Sequence, residues 1–483
     1  MKGATAVVEA LKGQGVKHIF GIPGGYIMPV YDVLYSSDDV RHILTRHEQG
    51  AAHAADGYAR ASGKVGVCMT TSGPGATNLV TGLTNAFMDS VPIIALTGQV
   101  PTAVIGSDAF QEADIVGMSM PVTKQNFQVR NASEIGKTIA AAFKIARTGR
   151  PAPVLVDLPR DVLLSEGEIE LPLDAEILGY NPTVNGHPVQ IKKAAELLLN
   201  SERPVIIAGG GVTISGAFTE LAALAELLGA PVVTTLLGKS CIPESHPLSL
   251  GMMGMHGRKS SNYAVSQADV LLAVGTRFSD RITGNAKEFA KGARVIHVDI
   301  DPAEIGKNVP AYLPIVGDAK TVLAGVVRAA SSMIAKGRET AWTKRVKELK
   351  RYCECEFDGD ARPINPRALL KQLQLVLGDD DIVVTGVGRH QMYAAHFLRR
   401  ERPRTFISSG GLGTMGFGFP ASMGAKVARP EVEVFDYDGD GSFQMTGKEL
   451  ATCKENGIKV VVVVVRDGVL GMVYQWQALF WQK

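Results

Sequence analysis

The chain has 483 residues, of which 46% are hydrophobic and 20% charged, and its formal net charge is +2. At about 150 residues per domain this predicts roughly three globular domains, and the charge balance gives no sign of a nucleic-acid or membrane-surface partner. No signal peptide is expected, and the valine run at 460–465 is far too short to cross a bilayer. The five cysteines contain no C-x-x-C pair, which favours reduced thiols and a cytoplasmic protein. Cys353 and Cys355, in RYCECEF, are interpreted as incidental thiols rather than a metal site.

The first predicted domain, residues 1–164, alternates helices with short apolar strands. MKGATAVVEALKGQG predicts an amphipathic helix that ends at glycine. Strands are predicted at HIFGIPGG, HILTRHE, GVCMTTSGPG, VPIIALTGQ and APVLVDLP. Their apolar runs are continuous rather than alternating, which is typical of parallel strands buried on both faces. The polar, proline-containing segment 165–188 predicts a linker.

Two further domains follow the same pattern. Residues 189–330 contain the predicted strands PVIIAGGG, PVVTTL, VLLAVG and RVIHVDID. A charged helix and connector at about 331–365 lead to a third domain, residues 362–483, whose first predicted strand is IVVTGVG. The predicted fold class is therefore α/β, with three doubly wound parallel-sheet domains.

The segment VFDYDGDGSF, residues 434–443, predicts a site for a phosphate and a metal ion. Its alternating aspartates resemble an EF-hand loop, but the twelfth loop position is Gly447 and the preceding EVEVF predicts a strand, not a helix. The EF-hand interpretation is therefore rejected. Instead, Gly439 and Gly441 allow the backbone to approach phosphate oxygens, and Asp440 between them can hold a divalent cation that bridges those oxygens.

The residues after this loop predict a helix and then a return strand. Thr446 and Glu449 fit a capping box, and Gly457 fits a helix C-cap. IKVVVVVV, residues 458–465, predicts a buried parallel strand followed by Asp467. Because a strand–helix–strand unit returns to the same sheet edge, Asp440 and Asp467 are both expected to reach one magnesium ion.

Two other aspartates of the segment are not expected to bind the metal. Asp436 and Asp438 alternate along the strand end, so we do not expect both side chains to face the diphosphate that Asp440 faces. The sequence therefore assigns only Asp440 of the three to magnesium.

A competing motif is GLGTMG, residues 411–416, which matches the dinucleotide-binding pattern G-x-G-x-x-G. Asp436 follows it by twenty residues at a predicted strand end, as the nicotinamide fingerprint requires. A lone match is weak, however, and this one lies close to a second phosphate loop. The nicotinamide interpretation is therefore disfavoured.

GDG followed about 25 residues later by asparagine is the thiamine-diphosphate fingerprint, and this chain resembles it with Asp467 in place of the asparagine. Motifs in order along almost the whole chain resemble the catalytic large subunit of acetohydroxyacid synthase (acetolactate synthase). They are GIPGGYIMPVYD, TRHEQGAAHAADGYAR, TSGPGATNLVTGL, GSDAFQEADIVGMSMPVTK, GMHGRKSSNYAV, GTRFSDRITGN, HVDIDPAEIGK, GGLGTMGFGFP and GMVYQWQALF. The resemblance implies the three-domain fold of thiamine-diphosphate enzymes.

Thiamine diphosphate needs a carboxylate that moves a proton onto its aminopyrimidine ring, and the resemblance implies that Glu48 has this role. A lone glutamate at a helix start is otherwise merely favoured by the helix dipole. Pro74 and Asn78 are implied near the pyrimidine, while Gln111 and Lys124 are implied as catalytic residues of the substrate channel. Because Glu48 and Asp440 belong to different domains, the family builds each active site between two chains, which implies a homodimer or tetramer.

The resemblance also implies the remaining ligand sites. The residues implied to contact thiamine diphosphate are Val387, Gly388, His390, Gly413, Met415 (an apolar wedge that bends the cofactor), Gly439, Gly441 and Ser442. The backbone carbonyl of Val469 is implied as a third magnesium ligand. The residues implied to bind FAD are Arg150, Gly210, Gly211, Met255, His256, Gly275, Arg277, Asp299, Ile300 and Asp318. The residues implied to contact substrate are Gly25, Phe110, Arg281 (for a carboxylate), Met472 and Trp476.

The implied reaction is decarboxylation of pyruvate and ligation of the two-carbon unit to pyruvate or 2-oxobutyrate, at the entry to branched-chain amino-acid synthesis. A separate regulatory small subunit is implied as a partner. The alternatives are a pyruvate oxidase-like or other thiamine/FAD decarboxylase, or a non-catalytic cofactor-binding relative. Tyr26 and Arg389 depart from the small residue and the glutamine expected there. Relatives continue beyond QALFWQK, so the last domain is expected to be incomplete.

Overall fold

The computed structural model describes residues 1–334, 337–351, 359 and 362–482. Cys353 and Cys355, interpreted above as incidental thiols, lie outside the described residues. The chain forms two compact units. The first comprises Met1–Tyr180, Ile382–Gly388 and Ile407–Lys483, and the second comprises Asn181–Asp381 and Arg389–Phe406.

The amino-terminal part of the first unit is a six-stranded parallel sheet with the order β2-β1-β3-β4-β6-β5. Its strands are β1 His18–Gly21, β2 Arg41–Leu44, β3 Gly66–Thr70, β4 Ile93–Gln99, β5 Gln125–Gln128 and β6 Val154–Pro159. Its helices are α1 Gly3–Gly13, α2 Met28–Tyr35, α3 Glu48–Ser62, α4 Pro74–Thr77, α5 Val80–Asp89, α6 Ile115–Ser119, α7 Ile135–Arg147 and α8 Arg160–Leu164. Short 3-10 turns lie at Thr102–Val104, Met120–Val122 and Ala132–Glu134. Every residue of β3, β4 and β6 is buried, as their continuous apolar runs predict.

The second unit contains another six-stranded parallel sheet, with the order β12-β11-β10-β7-β8-β9. Its strands are β7 Pro204–Ala208, β8 Val232–Thr234, β9 Ser249–Met252, β10 Val270–Val274, β11 Arg294–Asp299 and β12 Leu313–Val316. Its helices are α9 Pro188–Leu199, α10 Gly210–Ser215, α11 Phe218–Leu228, α12 Lys259–Gln267, α13 Asp280–Thr283, α14 Ala319–Ser331, α15 Ala341–Arg351, α16 Pro366–Val376 and α17 Arg389–Phe397. The predicted linker at 165–188 contains no helix or strand before α9 begins at Pro188.

The carboxyl-terminal part of the first unit has a third parallel sheet, with the order β14-β13-β15-β16. Its strands are β13 Ile382–Thr385, β14 Phe406–Ser408, β15 Val434–Gly439 and β16 Val461–Val465. Its helices are α18 Gly418–Ala428, α19 Asp440–Thr446, α20 Leu450–Asn456 and α21 Gly471–Phe480, with a 3-10 turn at Gly447–Glu449. Three parallel α/β sheets confirm the predicted fold class.

The prediction that the valine strand β16 is buried is wrong for the described chain. Val461 and Val464 are each 43% exposed. The physical reason is that β16 pairs only with β15 and forms an edge of its sheet among the described strands. No helix within the described ranges is both long enough and apolar enough to span a membrane.

Helices α3 and α18 bring the two parts of the first unit into direct backbone contact. A Cβ on Gly57 would lie 2.0 Å from the Ala421 carbonyl oxygen, and one on Gly424 would lie 1.9 Å from the Ala54 carbonyl oxygen. The glycines therefore allow an approach that no larger residue permits. This packing fixes the start of α3 relative to the carboxyl-terminal sheet.

Candidate active site

Glu48 lies where β2 gives way to α3, at the carboxyl edge of the first sheet. His47 is the extended N-cap residue of α3, and its Nδ1 accepts a hydrogen bond from the Gln49 backbone N–H. The Asn78 Nδ2 group donates to Glu48 Oε2 at 2.9 Å. A Cβ on Gly75 would lie 3.5 Å from Glu48 Oε1, so the turn that carries Gly75 lies directly beside that carboxylate. The structure thus brings Glu48 and Asn78 together beside α4, whose first residue is Pro74.

The loop that carries Phe110 and Gln111 lies against the same glycine-rich turn. Gly73 has a positive φ of 55°, and a Cβ there would lie 2.7 Å from the Gln111 carbonyl oxygen. The Tyr26 hydroxyl donates to the Phe110 carbonyl at 3.0 Å, next to Gly25. The Phe110 side chain is 80% exposed. The departure at Tyr26 therefore adds a hydrogen bond that a small residue cannot make.

Lys124 has a different environment from the one expected of a channel residue. Its Nζ donates to the carbonyl oxygens of Ile145, Thr148 and Arg150 and to the Tyr180 hydroxyl, at 2.5–2.9 Å. An ammonium group has three protons, so these four acceptors at the carboxyl end of α7 use its full donor capacity. The place of Lys124 in a substrate channel stays a prediction, because its contacts among the described residues do not test it.

The predicted metal-binding aspartates follow neighbouring strands of the third sheet. Asp440 is the first residue of α19, directly after β15, so the helix begins six residues before the predicted Thr446 cap. Gly439 pairs with Val465, the last residue of β16, so Asp440 and Asp467 follow adjacent strand ends. Asp467 Oδ1 accepts a hydrogen bond from the Val469 backbone N–H at 3.2 Å.

The donors of this predicted site are carboxylate oxygens, which suit hard divalent cations such as Mg²⁺. Within the described residues, no group of three or more His, Cys, Asp or Glu side chains could hold a metal. Two carboxylates fit a magnesium ion that takes its other ligands from phosphate oxygens, a carbonyl and water.

Three backbone segments meet beside this aspartate and form a glycine-lined cradle. Ser442 Oγ accepts from the Gly416 N–H at 3.0 Å and from the Val387 N–H at 3.4 Å. A Cβ on Gly441 would lie 3.5 Å from Met415 Cε. Gly388 and Gly413 both have positive φ, 155° and 72°. The resemblance implied these residues, which come from three separate stretches of the chain, and their glycines fit a diphosphate that requires close backbone approach. His390, predicted to contact the same cofactor, belongs to the second compact unit.

Sequence reasoning missed the buried network that holds the 409–416 loop. Arg60 forms ion pairs with Asp56 and Asp89 and donates to the Ser408 carbonyl. Asp89 also accepts from the N–H groups of Gly410 and Gly411, at 3.0 and 2.6 Å. The i,i+4 spacing of Asp56 and Arg60 was a visible signal for that pair, but nothing in the sequence placed Asp89 beside them.

Asn85 completes this network from α5. Its Oδ1 accepts from the Ser409 hydroxyl at 2.6 Å and from the Thr414 hydroxyl at 3.1 Å, and its Nδ2 donates to Asp56 Oδ2 at 3.0 Å. Ser409 Oγ in turn accepts from the N–H groups of Gly413 and Thr414. The amino-terminal part of the unit therefore fixes the loop that carries Gly413 and Met415.

Asp436 and Asp438 lie in the interior of the carboxyl-terminal sheet rather than at its edge. Both are fully buried, and a Cβ on Gly418 would lie 2.7 Å from Asp436 Oδ1 and 2.9 Å from Asp438 Oδ2. Burial, together with the neighbouring Asp438 carboxylate, raises the pKa of Asp436 well above its usual range. The two side chains share one face of β15, because residues i and i+2 of a strand point the same way.

In the second unit, the residues implied to bind FAD follow the carboxyl ends of its strands. Gly210 and Gly211 follow β7, and Gly275 and Arg277 follow β10. Asp299 is the last residue of β11, and Ile300 follows it. Gly275 has a φ of 57°, and a Cβ on Gly211 would lie 2.6 Å from the Gly275 Cα. The two glycine turns are therefore in backbone contact at the carboxyl ends of β7 and β10.

Other residues of this group follow β9 and β12, the two opposite edge strands of this sheet. Asp318 is the N-cap residue of α14, where its Oδ1 accepts from the N–H groups of Lys320 and Thr321. The Met255 N–H donates to the Arg281 carbonyl at 2.8 Å, and the Arg281 guanidinium lies 3.6 Å from Met255 Sδ. Burial lowers the pKa of the neighbouring His256. Met255, one of the predicted flavin residues, thus contacts Arg281, the predicted substrate arginine.

Three predicted residues lie elsewhere in the first unit. Arg150 donates from Nε to the Ser90 hydroxyl at 2.9 Å. Met472 and Trp476 lie on α21, which has no buried residue. Their roles in binding stay predictions, since no contact here tests them.

Comparison with known proteins supports the arrangement along the whole chain. Models of the thiamine pyrophosphate enzyme family match in three places: its N-terminal TPP binding domain at residues 1–118, its central domain at 191–326 and its C-terminal TPP binding domain at 386–483. A protein of Methanocaldococcus jannaschii named probable acetolactate synthase large subunit is 57% identical over 100% of this chain and 83% of its own length. The chain belongs to the acetolactate synthase large-subunit family.

Bacterial members of the acetolactate synthase large-subunit family are similar as well. The acetolactate synthase of Mycobacterium bovis is 50% identical over the whole chain and 79% of its own length. The acetolactate synthase large subunit of Corynebacterium glutamicum is 49% identical over the whole chain and 77% of its own length. These matches confirm the resemblance found in the motifs and the expectation of a thiamine-diphosphate-dependent enzyme. The predicted domain bounds at 164, 189, 330 and 362 stay predictions.

Proposed function

We propose that this chain decarboxylates pyruvate with thiamine diphosphate and ligates the two-carbon unit to pyruvate or 2-oxobutyrate. The products are acetolactate and acetohydroxybutyrate, which enter branched-chain amino-acid biosynthesis. The observation that carries the proposal is 57% identity, over the whole chain, to a protein named as an acetolactate synthase large subunit. The geometry supports it, because a carboxylate–amide pair and a glycine cradle with two aspartates lie at strand ends where such a cofactor fits.

Glu48 is the group that moves a proton in this proposal. Bound thiamine diphosphate supplies a thiazolium carbon that acts as nucleophile and electron sink. Glu48 exchanges a proton with the aminopyrimidine nitrogen, and Asn78 orients the carboxylate through Oε2.

The diphosphate and its magnesium ion are assigned to the glycine cradle. Asp440, Asp467 and the Val469 carbonyl would hold the ion, and the glycines at 388, 413, 439 and 441 admit the phosphate oxygens. Asp467 is a competent oxygen ligand, although it carries a negative charge that the family's usual asparagine lacks. Met415 beside Gly441 is the apolar wedge of the proposed site.

FAD is proposed for the edge of the second sheet, where the backbone contact of Gly211 and Gly275 supports a close ligand approach. Arg281 would grip the carboxylate of the incoming 2-oxo acid, since a guanidinium can bind it bidentately. Active sites shared between chains make a homodimer or tetramer the working unit. Relatives are named large subunits, which supports a separate regulatory small subunit as partner. The proposed location is the cytoplasm.

Anaerobic incubation with pyruvate, thiamine diphosphate, Mg²⁺ and FAD tests the function. We expect acetolactate, measured as acetoin after acid decarboxylation, and a bound flavin whose visible absorption is not bleached during turnover. Steady bleaching would indicate a pyruvate oxidase-like enzyme instead. Tight cofactor binding without any product would indicate a non-catalytic relative.

A further inference from the structure

Glu449 places a buried carboxylate of the carboxyl-terminal domain against the residues that directly precede Glu48. Both of its carboxylate oxygens lie 3.0 Å from the Arg46 backbone nitrogen, and Oε1 also accepts from the His47 N–H at 3.1 Å. The Thr452 hydroxyl donates to Oε2 at 2.8 Å. The side chain of Glu449 is fully buried. The sequence predicted a capping box between Thr446 and Glu449, and this was wrong, because Thr446 donates to the Gly416 carbonyl instead.

Gly50, in the first turn of α3, makes this approach possible. A Cβ at that position would lie 2.3 Å from Glu449 Oε1. The donors that this carboxylate finds in the described part of the chain are neutral N–H and O–H groups. Burial accordingly raises the pKa of Glu449. Burying a carboxylate is costly unless hydrogen bonds satisfy it, and here the donors that satisfy it include the two residues before Glu48.

The carboxylate binds the two backbone N–H groups that directly precede α3. The first N–H groups of a helix lack partners within the helix, and negative charge is favoured near its N-terminus. Arg46 and His47 precede the helix, and Glu48 is its first residue. Fixing two consecutive N–H groups limits the backbone rotations that set the direction of the next side chain.

We propose that Glu449 is a positioning residue that holds the turn at residues 46–47 so that the Glu48 carboxylate is presented to the aminopyrimidine. This inference rests on the proposed function. Glu449 acts through Glu48 and does not itself touch the cofactor. It follows that loss of Glu449 should slow the proton transfer at Glu48 with little change in cofactor affinity.

The first test uses the protein without cofactor. In Glu449→Ala, amide hydrogen exchange of a peptide covering residues 44–50 should become faster by about 10-fold, the scale expected for one lost charge-assisted hydrogen bond. Glu455→Ala is the matched control, since Glu455 pairs with the Arg46 guanidinium but is exposed. Exchange in the control should match the wild-type protein. Equal exchange in all three proteins would overturn the inference.

The second test measures hydrogen–deuterium exchange at the thiazolium C2 of bound thiamine diphosphate by quenched-flow NMR. Glu449→Ala should slow this exchange by about 10-fold, with the dissociation constant of the cofactor within about 2-fold of wild type. Glu449→Gln, which keeps one acceptor oxygen, should be intermediate. If Glu449→Ala does not fold, Glu449→Gln and Glu449→Asp are compared with the wild-type protein by the same measurements of C2 exchange and cofactor affinity.

A double variant separates positioning from general stabilisation. Glu48→Gln with Glu449→Ala should exchange C2 no more slowly than Glu48→Gln alone, because one residue acts through the other. Additive losses, or unchanged C2 exchange in Glu449→Ala, would contradict the inference while leaving the proposed function intact. If the wild-type chain failed to bind the cofactor, or to exchange the hydrogen at C2 of the cofactor, the proposed function would be contradicted. The amide hydrogen exchange measured without cofactor would still test whether Glu449 holds the turn at residues 46–47.

Discussion

Glu48→Gln is expected to lower acetolactate formation by about 100-fold or more, the usual scale for a lost acid–base group. Glutamine keeps the size of the side chain and can still accept from Asn78, so thiamine diphosphate and Mg²⁺ should bind almost as tightly. It cannot exchange a proton with the aminopyrimidine. Steady-state kinetics at saturating cofactor, with calorimetric measurement of cofactor binding, gives both quantities.

Glu134→Gln is the matched control for this experiment. Glu134 is an exposed glutamate at the end of a 3-10 turn in the same domain. Its substitution should leave turnover and binding unchanged. Near-normal turnover in Glu48→Gln would refute the assignment of Glu48 as the proton-transferring residue.

Asp440→Ala is expected to abolish the magnesium-dependent binding of thiamine diphosphate, because the ion that links the protein to the diphosphate loses a charged protein ligand. Asp467 gives the sharper comparison. Asp467→Asn keeps an oxygen ligand and restores the family's usual residue, so binding should persist, whereas Asp467→Ala should weaken binding severely. Calorimetric titration of the cofactor at several Mg²⁺ concentrations measures each variant.

Asp438→Asn serves as the control for the metal prediction. Asparagine can still accept from the Gly439 N–H, as Asp438 Oδ1 does at 2.8 Å, and Asp438 is buried away from solvent. The magnesium dependence of cofactor binding in Asp438→Asn should therefore match that of the wild-type protein. If Asp467→Asn and Asp467→Ala had equally small effects, the second protein ligand would have to be sought elsewhere.

Features encoded by neighbouring residues were predictable from the sequence. The continuous apolar runs gave β3, β4 and β6, and the spacing of Gly439, Asp440 and Gly441 gave the strand–turn–helix at the cradle. Gly457 closes α20 in the left-handed conformation, as a glycine C-cap predicts. In each case, the residues that determine the structure lie within one turn or one strand.

Features that depend on distant residues were not predictable. Glu449 has the spacing of a capping box with Thr446, but its hydrogen bonds go to Arg46 and His47, some 400 positions earlier. The capping-box rule considers only partners a few residues away. The packing of α3 against α18 brings distant backbone N–H groups to Glu449 instead. The exposure of β16 has a similar origin, since a valine run specifies a strand but not how many neighbours pair with it.

The central claim is that Glu48 of one chain and Asp440 of another serve one thiamine-diphosphate site. It is tested most directly by mixing Glu48→Gln and Asp440→Ala chains after dissociation and reassociation, and measuring acetolactate formation. Each variant alone should be inactive, whereas random mixing should restore about a quarter of the wild-type sites, because half of the dimers are mixed and each has one intact pair. No recovery, in mixtures shown by mass spectrometry to contain mixed dimers, would contradict the account.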